Sequence, residues 1–250
     1  VSGIVLGMLL LERGISFRII EKNADVGGTW LENIYPGCGV DTPNHAYSFS
    51  FGPRFPWSSY FSPREEIQAY LENTASALDL YPHIQFDTKV VGAAWDEAGS
   101  RWRVTVECAG DIEEIEAWTL VSAVGQLNLP SLPDIDGMEN YTGKIFHSIQ
   151  WPDELELAGK RVAVIGTGAS AMQIVPTIAD EVEQLTVYQR SPQWARPIPR
   201  YHDHLSDNAQ WLLQHVPFYA AWFRFTMLWR YGDGLLPYLR KDPDWPHAER

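Results

Sequence analysis

Arg161-Val162-Ala163-Val164-Ile165-Gly166-Thr167-Gly168-Ala169-Ser170-Ala171 decides how this chain of 250 residues is read. Val162 to Ile165 is an unbroken, β-branched-rich apolar run, as expected of a strand buried on both faces. The GxGxxA turn behind it opens into a predicted helix, Ala171–Ala179, and a second strand follows at Gln184–Gln189. Each position has a physical task in a dinucleotide-binding βαβ unit. Gly166 allows the tight turn, Gly168 lets a pyrophosphate approach the backbone, and Ala171 keeps helix and strand close. The helix start, with Thr167, Ala169 and Ser170, offers unpaired N–H groups to phosphates, and Gln173 on that helix joins the candidate cofactor-binding set. A tight turn without a ligand is the alternative.

The end of the second strand bears on which nucleotide binds. A carboxylate there would hold the ribose 2′-hydroxyl of NAD, whereas an arginine accommodates the 2′-phosphate of NADP. The chain has Arg190-Ser191 at this point, which favours NADP over a merely solvated surface charge.

Working outward, Val1 to Leu11 reads as a helix closed by Arg13-Gly14 and feeding a strand at Ser16–Glu21. This is the second half of another βαβ unit. Gly3 takes the place of the third fingerprint glycine, and Glu21 ends the strand where an acid would bind ribose hydroxyls. Alone, Glu21 is only a polar terminus. Beside Gly27-Gly28-Thr29-Trp30, a loop suited to a flat ring system, it reads as part of a first site with Gly28, Thr29 and Trp30. The chain starts at Val1 inside a helix, so it is expected to be a fragment without the first strand and its Gly-x-Gly.

Between the two units lie a predicted helix at Pro63–Leu78, with a capping box at Ser62-Pro63-Arg64-Glu65, and then strands at Thr88–Trp95, Arg101–Glu107 and Glu113–Trp118. Val90, on the first of these strands, is a further cofactor-binding candidate. Thr119–Gly125 reads as a fully buried parallel strand, and 126–158 as a Pro-rich connector. Glu113-Glu114 and Asp180-Glu181 read as solvated turns. After Tyr201 the chain turns helical and aromatic; Trp211, Phe218, Trp222, Phe223, Phe225 and Trp229 are expected to form the core of a helical insertion. The fold class is therefore α/β, with two Rossmann-like dinucleotide-binding domains, a β-meander and the start of that insertion.

Composition narrows the function. Lys+Arg 19 against Asp+Glu 32 gives a net charge of −13, which argues against nucleic acid and anionic lipid as partners. No apolar run reaches the ~18 residues of a membrane span. Cys38 and Cys108 form neither a metal-ligand pattern nor a redox pair, so a reduced, cytoplasmic protein is expected and Cys38 reads as buried filler. His202 and His204 flank Asp203 without a third ligand, so no metal site is expected. An acid-marked site and an arginine-marked site together suggest FAD plus NADPH and hydride transfer onto a flavin.

The connector Tyr141-Thr142-Gly143-Lys144-Ile145-Phe146-His147-Ser148-Ile149-Gln150-Trp151-Pro152 resembles the FxGxxxHxxxWP fingerprint of type I Baeyer–Villiger monooxygenases, with Tyr141 in place of the leading Phe. The stretch Glu32-Asn33-Ile34-Tyr35-Pro36-Gly37-Cys38-Gly39-Val40-Asp41-Thr42-Pro43-Asn44-His45-Ala46-Tyr47-Ser48-Phe49 is similar to the 4-hydroxyacetophenone monooxygenase branch in particular. The resemblance implies an FAD-binding domain over 1–152, the N-terminal part of an NADP-binding domain over 153–200 and the start of a helical insertion over 201–250. It implies NADPH, O2 and a ketone as reactants, with one oxygen atom inserted through a C4a-peroxyflavin to give an ester or lactone. Asp41 maps to an aspartate beside flavin and nicotinamide, and is the candidate catalytic residue. Gly143, His147, Trp151 and Pro152 map to an interdomain motif that influences domain motion, and the family's active-site arginine has no match before Arg250. N- or S-oxygenation is the alternative within the class. A catalytically incomplete nucleotide-binding fragment is the alternative outside it, in which the chain alone binds FAD weakly and oxidises no ketone.

Overall fold

The computed structural model describes residues 1–193, 195 and 197–232. Along the chain run α1 (Ser2–Glu12), β1 (Ile19–Ile20), α2 (Thr29–Glu32), α3 (Asn44–Tyr47), α4 (Arg64–Ala77), β2 (Ile84–Gln85), β3 (Thr88–Asp96), β4 (Arg101–Cys108), β5 (Asp111–Ala117), β6 (Arg161–Ile165), α5 (Ala169–Ile178), β7 (Gln184–Tyr188), α6 (Asp207–His215) and α7 (Tyr219–Tyr231). They form two compact units, Val1–Cys38 with Ile67–Pro192, and Gly39–Glu66 with Gln193–Arg250. Residues 233–250 of the expected insertion lie outside the described residues.

In the first unit α1 ends as its sequence dictates. Gly14 takes φ +64°, its N–H donates to the Leu11 carbonyl at 3.0 Å, and the Ile15 N–H donates to Leu10 at 3.0 Å. This is a Schellman cap, and it delivers the chain to β1. The ladder of β1 is short, pairing Ile19 with Ile84 and Ile20 with Gln85 in parallel. Helix and strand approach most closely at Gly7, where a Cβ would lie 2.9 Å from Leu80 Cδ2 and 3.2 Å from Ile19 Cδ1. At Gly3 the same test gives 3.8 Å to Ile19, ordinary contact, so the close-packing role expected of Gly3 belongs to Gly7. Helix α4 adds Ile67, Tyr70, Leu71 and Ala75 to the core, a helical spacing that buries one face.

Strands β3, β4 and β5 form the expected antiparallel meander, with a bulge between Val90 and Gly92. Val104 and Val106 point into the core, while Arg103 pairs with Asp96 at 2.9 Å and Arg101 with Glu116 at 2.6 Å on the wet face. Glu113 and Glu114 lie within β5 rather than in a turn, because their neighbours complete the β4 ladder. The second α/β unit matches its fingerprint: β6 and β7 pair in parallel from Arg161↔Gln184 to Ile165↔Tyr188, connected by α5, which buries Ile174 and Ile178.

Three further expectations fail. Thr119–Gly125 is not a buried strand; Val121 is 56% and Val124 68% exposed. None of the described strands runs alongside it, and an apolar run without a ladder partner gains nothing from pleating. Most of the aromatic residues expected as the core of the helical insertion are not buried either. Trp211, Phe218, Trp222, Phe225 and Trp229 are each more than half exposed, while Leu205 and Leu213 are buried. Helix α7 carries more aromatics than its main partners among the described elements, α3 and α6, cover. The capping box at α4 also fails. The Ser62 N–H donates to Asn44 Oδ1 at 3.1 Å, and it is Glu66, not Glu65, that accepts from the Ser62 hydroxyl and from Ser58.

Candidate functional site

The turn after β6 has the geometry its glycines suggest. Gly166 sits at φ +104° and donates its N–H to the Tyr188 carbonyl at 2.9 Å. Around Gly168 a Cβ would meet no heavy atom within 4 Å, so the backbone is open to a close approach. The Gln189 amide donates to Thr167 Oγ1 at 3.3 Å, pinning the turn to the end of β7. Helix α5 starts at Ala169 with no side chain capping it, so the N–H groups of its first turn face outward as anion donors. Ile165 and Tyr188 are ladder partners, so the turn and the exposed Arg190-Ser191 leave the sheet at the same edge. These residues fit a pyrophosphate with a 2′-phosphate nearby.

The first candidate site gathers around β1. Glu21 ends this strand, its N–H bonded to the Gln85 carbonyl at 2.9 Å, and its Oε1 accepts from the Asn23 N–H at 3.0 Å, which fixes the carboxylate. Gly27 and Gly28 take φ +131° and +58°. A Cβ on Gly27 would fall 2.1 Å from Gln68 Oε1, so only glycine fits there. Gln68 is held by donating to the Val26 carbonyl at 2.8 Å and to Glu72 at 2.7 Å. Thr29 is exposed at the start of α2. Trp30 is 7% exposed, so its indole belongs to the core rather than to a surface offered to a flat ring. Val90 is 44% exposed beside the β3 bulge.

Gln173 is placed differently from a simple cofactor contact. Its Oε1 accepts from the Tyr35 hydroxyl at 3.0 Å, and Gly37, at φ +78°, presses against its backbone, where a Cβ would lie 2.7 Å from the Gln173 carbonyl and 2.3 Å from Thr177 Oγ1. The segment that follows α2 is thus seated on α5. Tyr35 and Gly37 were not singled out from sequence, since nothing local in either residue says which helix it meets.

Asp41 belongs to the second unit. It is exposed, and the Thr42 hydroxyl lies 3.5 Å from its Oδ1. Its segment is strapped on both sides: the Val40 N–H donates to Ser62 at 3.1 Å and the Asn44 N–H to Tyr60 at 2.9 Å. Asn44 is 1% exposed, and its amide is fully used on the Ser59 carbonyl and on Ser62. His45, next along, has its pKa pushed down to about 4 by burial and by the Arg224 charge.

The linker hexad builds its own knot. His147 Nδ1 accepts from the Ile149 N–H at 3.2 Å, capping a 3₁₀ turn at Ser148–Gln150. Phe146 meets Trp151 edge to face at 5.3 Å, and the absence of a side chain on Gly143 leaves room for the Tyr141 ring. Pro152 is half-buried behind Trp151 in sequence.

The sequence model of the flavin-binding monooxygenase-like family matches residues 1–204. The chain belongs to this family. Among relatives of this flavin-binding monooxygenase-like chain, an uncharacterised monooxygenase of Sinorhizobium fredii is 39% identical over 250 residues, 100% of this chain and 38% of that protein. A Baeyer–Villiger monooxygenase of Streptomyces coelicolor is 46% identical over 198 residues, 78% of this chain and 37% of that one. Among solved structures, OTEMO in complex with FAD and NADP superposes with a TM-score of 0.78 at 35% identity, over 85% of this chain and 40% of that chain. Cyclohexanone monooxygenase in its closed form gives 0.74 at 33%, over 84% and 40%. The chain spans about two fifths of the length of the relatives it matches. Among the described residues no helix is long and apolar enough to cross a membrane.

Proposed function

We propose that this chain supplies the nucleotide-binding part of an FAD- and NADPH-dependent monooxygenase of Baeyer–Villiger type, which inserts one oxygen atom of O2 into a ketone to give an ester or lactone. The observation that supports it most strongly is the β6–turn–α5 unit, with Gly166 at φ +104°, open space at Gly168 and Arg190 leaving the sheet at the same edge. The kinship with the Streptomyces coelicolor Baeyer–Villiger monooxygenase, and with solved proteins that hold FAD and NADP, supports the same reading.

Residues 1–152 are assigned to FAD, 153–200 to NADPH and 201–250 to the start of the helical insertion. Gly166, Thr167, Gly168, Ala169 and Ser170 hold the NADPH pyrophosphate with backbone N–H groups. Arg190 and Ser191 take the 2′-phosphate, because a guanidinium matches its charge and fork geometry. Gly3 and Glu21 face the adenosine of FAD, Glu21 as an acceptor for ribose hydroxyls. Gly28 and Thr29 give backbone access further along the cofactor, with the exposed Val90 as a further contact and the buried Trp30 supporting the turn from the core. Bound FAD, once reduced by NADPH, supplies the chemistry that activates O2. Asp41 is the candidate catalytic carboxylate to which the family resemblance points, an acceptor-only group when ionised. Gly143, His147, Trp151 and Pro152 stiffen the connection between the two nucleotide domains.

The test is product analysis. The native protein, isolated from its source and given FAD, NADPH, a panel of ketones and ¹⁸O2, is expected to yield ester carrying one labelled oxygen. Sulfoxide or N-oxide from added thioether or amine, with no ester, would move the reading to heteroatom oxygenation. No labelled product from either would overturn the enzyme reading.

A further inference from the structure

We propose that Tyr35 and Gln173 are positioning residues that couple the two nucleotide sites, so that each nucleotide raises the affinity for the other. This rests on the assignment of the two sites made under Proposed function. The two residues are 138 positions apart, yet the Tyr35 hydroxyl donates to Gln173 Oε1 at 3.0 Å. Tyr35 is 8% exposed and Gln173 half-buried, so the phenol is held by packing and the bond is part-buried.

What the bond joins gives it consequence. Gln173 lies one turn into α5, the helix whose first N–H groups face the candidate NADPH pyrophosphate. Tyr35 follows α2 and the Gly27-Gly28 turn, which form one wall of the candidate FAD site. The contact extends beyond one hydrogen bond, because Gly37 sits directly on the Gln173 carbonyl. Backbone cannot give way there as a flexible side chain would, so the segment and α5 move as one piece. A nucleotide that orders either side therefore orders the other in advance. The second nucleotide then binds to a helix or loop already in place, which is positive coupling between sites.

The experiment measures the Kd of the redox-inert NADP+ on the whole chain without FAD and with saturating oxidised FAD, by titration of protein fluorescence, and repeats it for four variants. FAD is expected to tighten NADP+ binding at least threefold in the wild type. Tyr35→Phe keeps the ring and removes only the hydroxyl, while Gln173→Met keeps the shape and removes the acceptor. Each alone, and the two together, are expected to bring the ratio down to about half its wild-type value or less, the Gly37 contact carrying the remainder. Gln173→Glu retains an acceptor for the phenol and is expected to retain the coupling. Melting temperatures run beside the titrations separate coupling from simple unfolding. A wild-type ratio of one, or a ratio that survives Tyr35→Phe while only the melting temperature falls, overturns the inference and leaves the site assignment standing. Failure of the wild type to bind either nucleotide overturns both.

Discussion

His45 stands edge-on to Phe223 at 5.0 Å, and its carbonyl takes the Arg224 guanidinium at 2.9 Å. Burial first, and the arginine charge second, hold its pKa near 4 instead of 6.5. The folded protein therefore keeps His45 neutral at a pH where the unfolded chain protonates it. Stability from this site is full above about pH 6.5 and is lost as the pH falls toward 4, by at most about 3 kcal/mol. Melting curves from pH 7.5 to 4.5 should show a steeper acid loss for the wild type than for His45→Gln; equal slopes would exclude His45 as the source. Asn44 carries a second residue-scale prediction. Asn44→Ala orphans the Ser62 N–H and the Ser59 carbonyl, and should cost about 2–4 kcal/mol in urea denaturation. Gly37→Ala should cost about 3 kcal/mol, since its positive φ and the Gln173 carbonyl both oppose a Cβ. At this scale the sequence shows which glycines bend the chain, as at Gly14 and Gly166. It does not show Gly37 or Asn44, whose importance comes from partners far away along the chain.

At the scale of elements, β6, α5 and β7 were readable because every signal for them is local: an apolar run, a glycine turn and an apolar helix within thirty residues. The meander was readable for the same reason, from alternation and the turn at Glu97–Ser100. Thr119–Gly125 was misread because burial of a parallel strand depends on its neighbours, not on its own composition. The aromatic helix α7 was misread likewise, since apolar character says what a helix could bury and not what covers it. The start of α4 offers a direct comparison. Glu65 matches the capping-box spacing but is exposed, whereas Glu66 accepts from Ser58 and Ser62. Glu66→Ala should lose about 2 kcal/mol of stability and Glu65→Ala less than about 0.5 kcal/mol, by chemical denaturation of both variants. The reverse order would restore the capping box.

For the whole molecule, the proposed function places two nucleotide sites in one flavin-binding monooxygenase-like chain. The fold around the second proposed site, β6, its glycine turn, α5 and β7, is legible because its residues are contiguous, and the proposed NADPH preference hangs on one side chain, Arg190. The residues proposed for the first are legible only in part, because Gly3, Glu21, Gly28 and Val90 lie on four separate stretches of the chain that no short motif joins. The net charge of −13 sharpens the test, since a polyanion will not bind an acidic protein by charge alone. The measurement is a calorimetric titration of NADP+ and of NAD+, neither of which reacts with oxidised FAD, into the FAD-supplied chain, for the wild type and for Arg190→Ala. One saturable NADP+ site at least about tenfold tighter than NAD+ is expected, with the preference abolished in Arg190→Ala because a charge-assisted phosphate contact worth about 1.5–3 kcal/mol is gone. No saturable NADP+ binding, or NAD+ bound as tightly as NADP+ by the wild type, would contradict the proposed site.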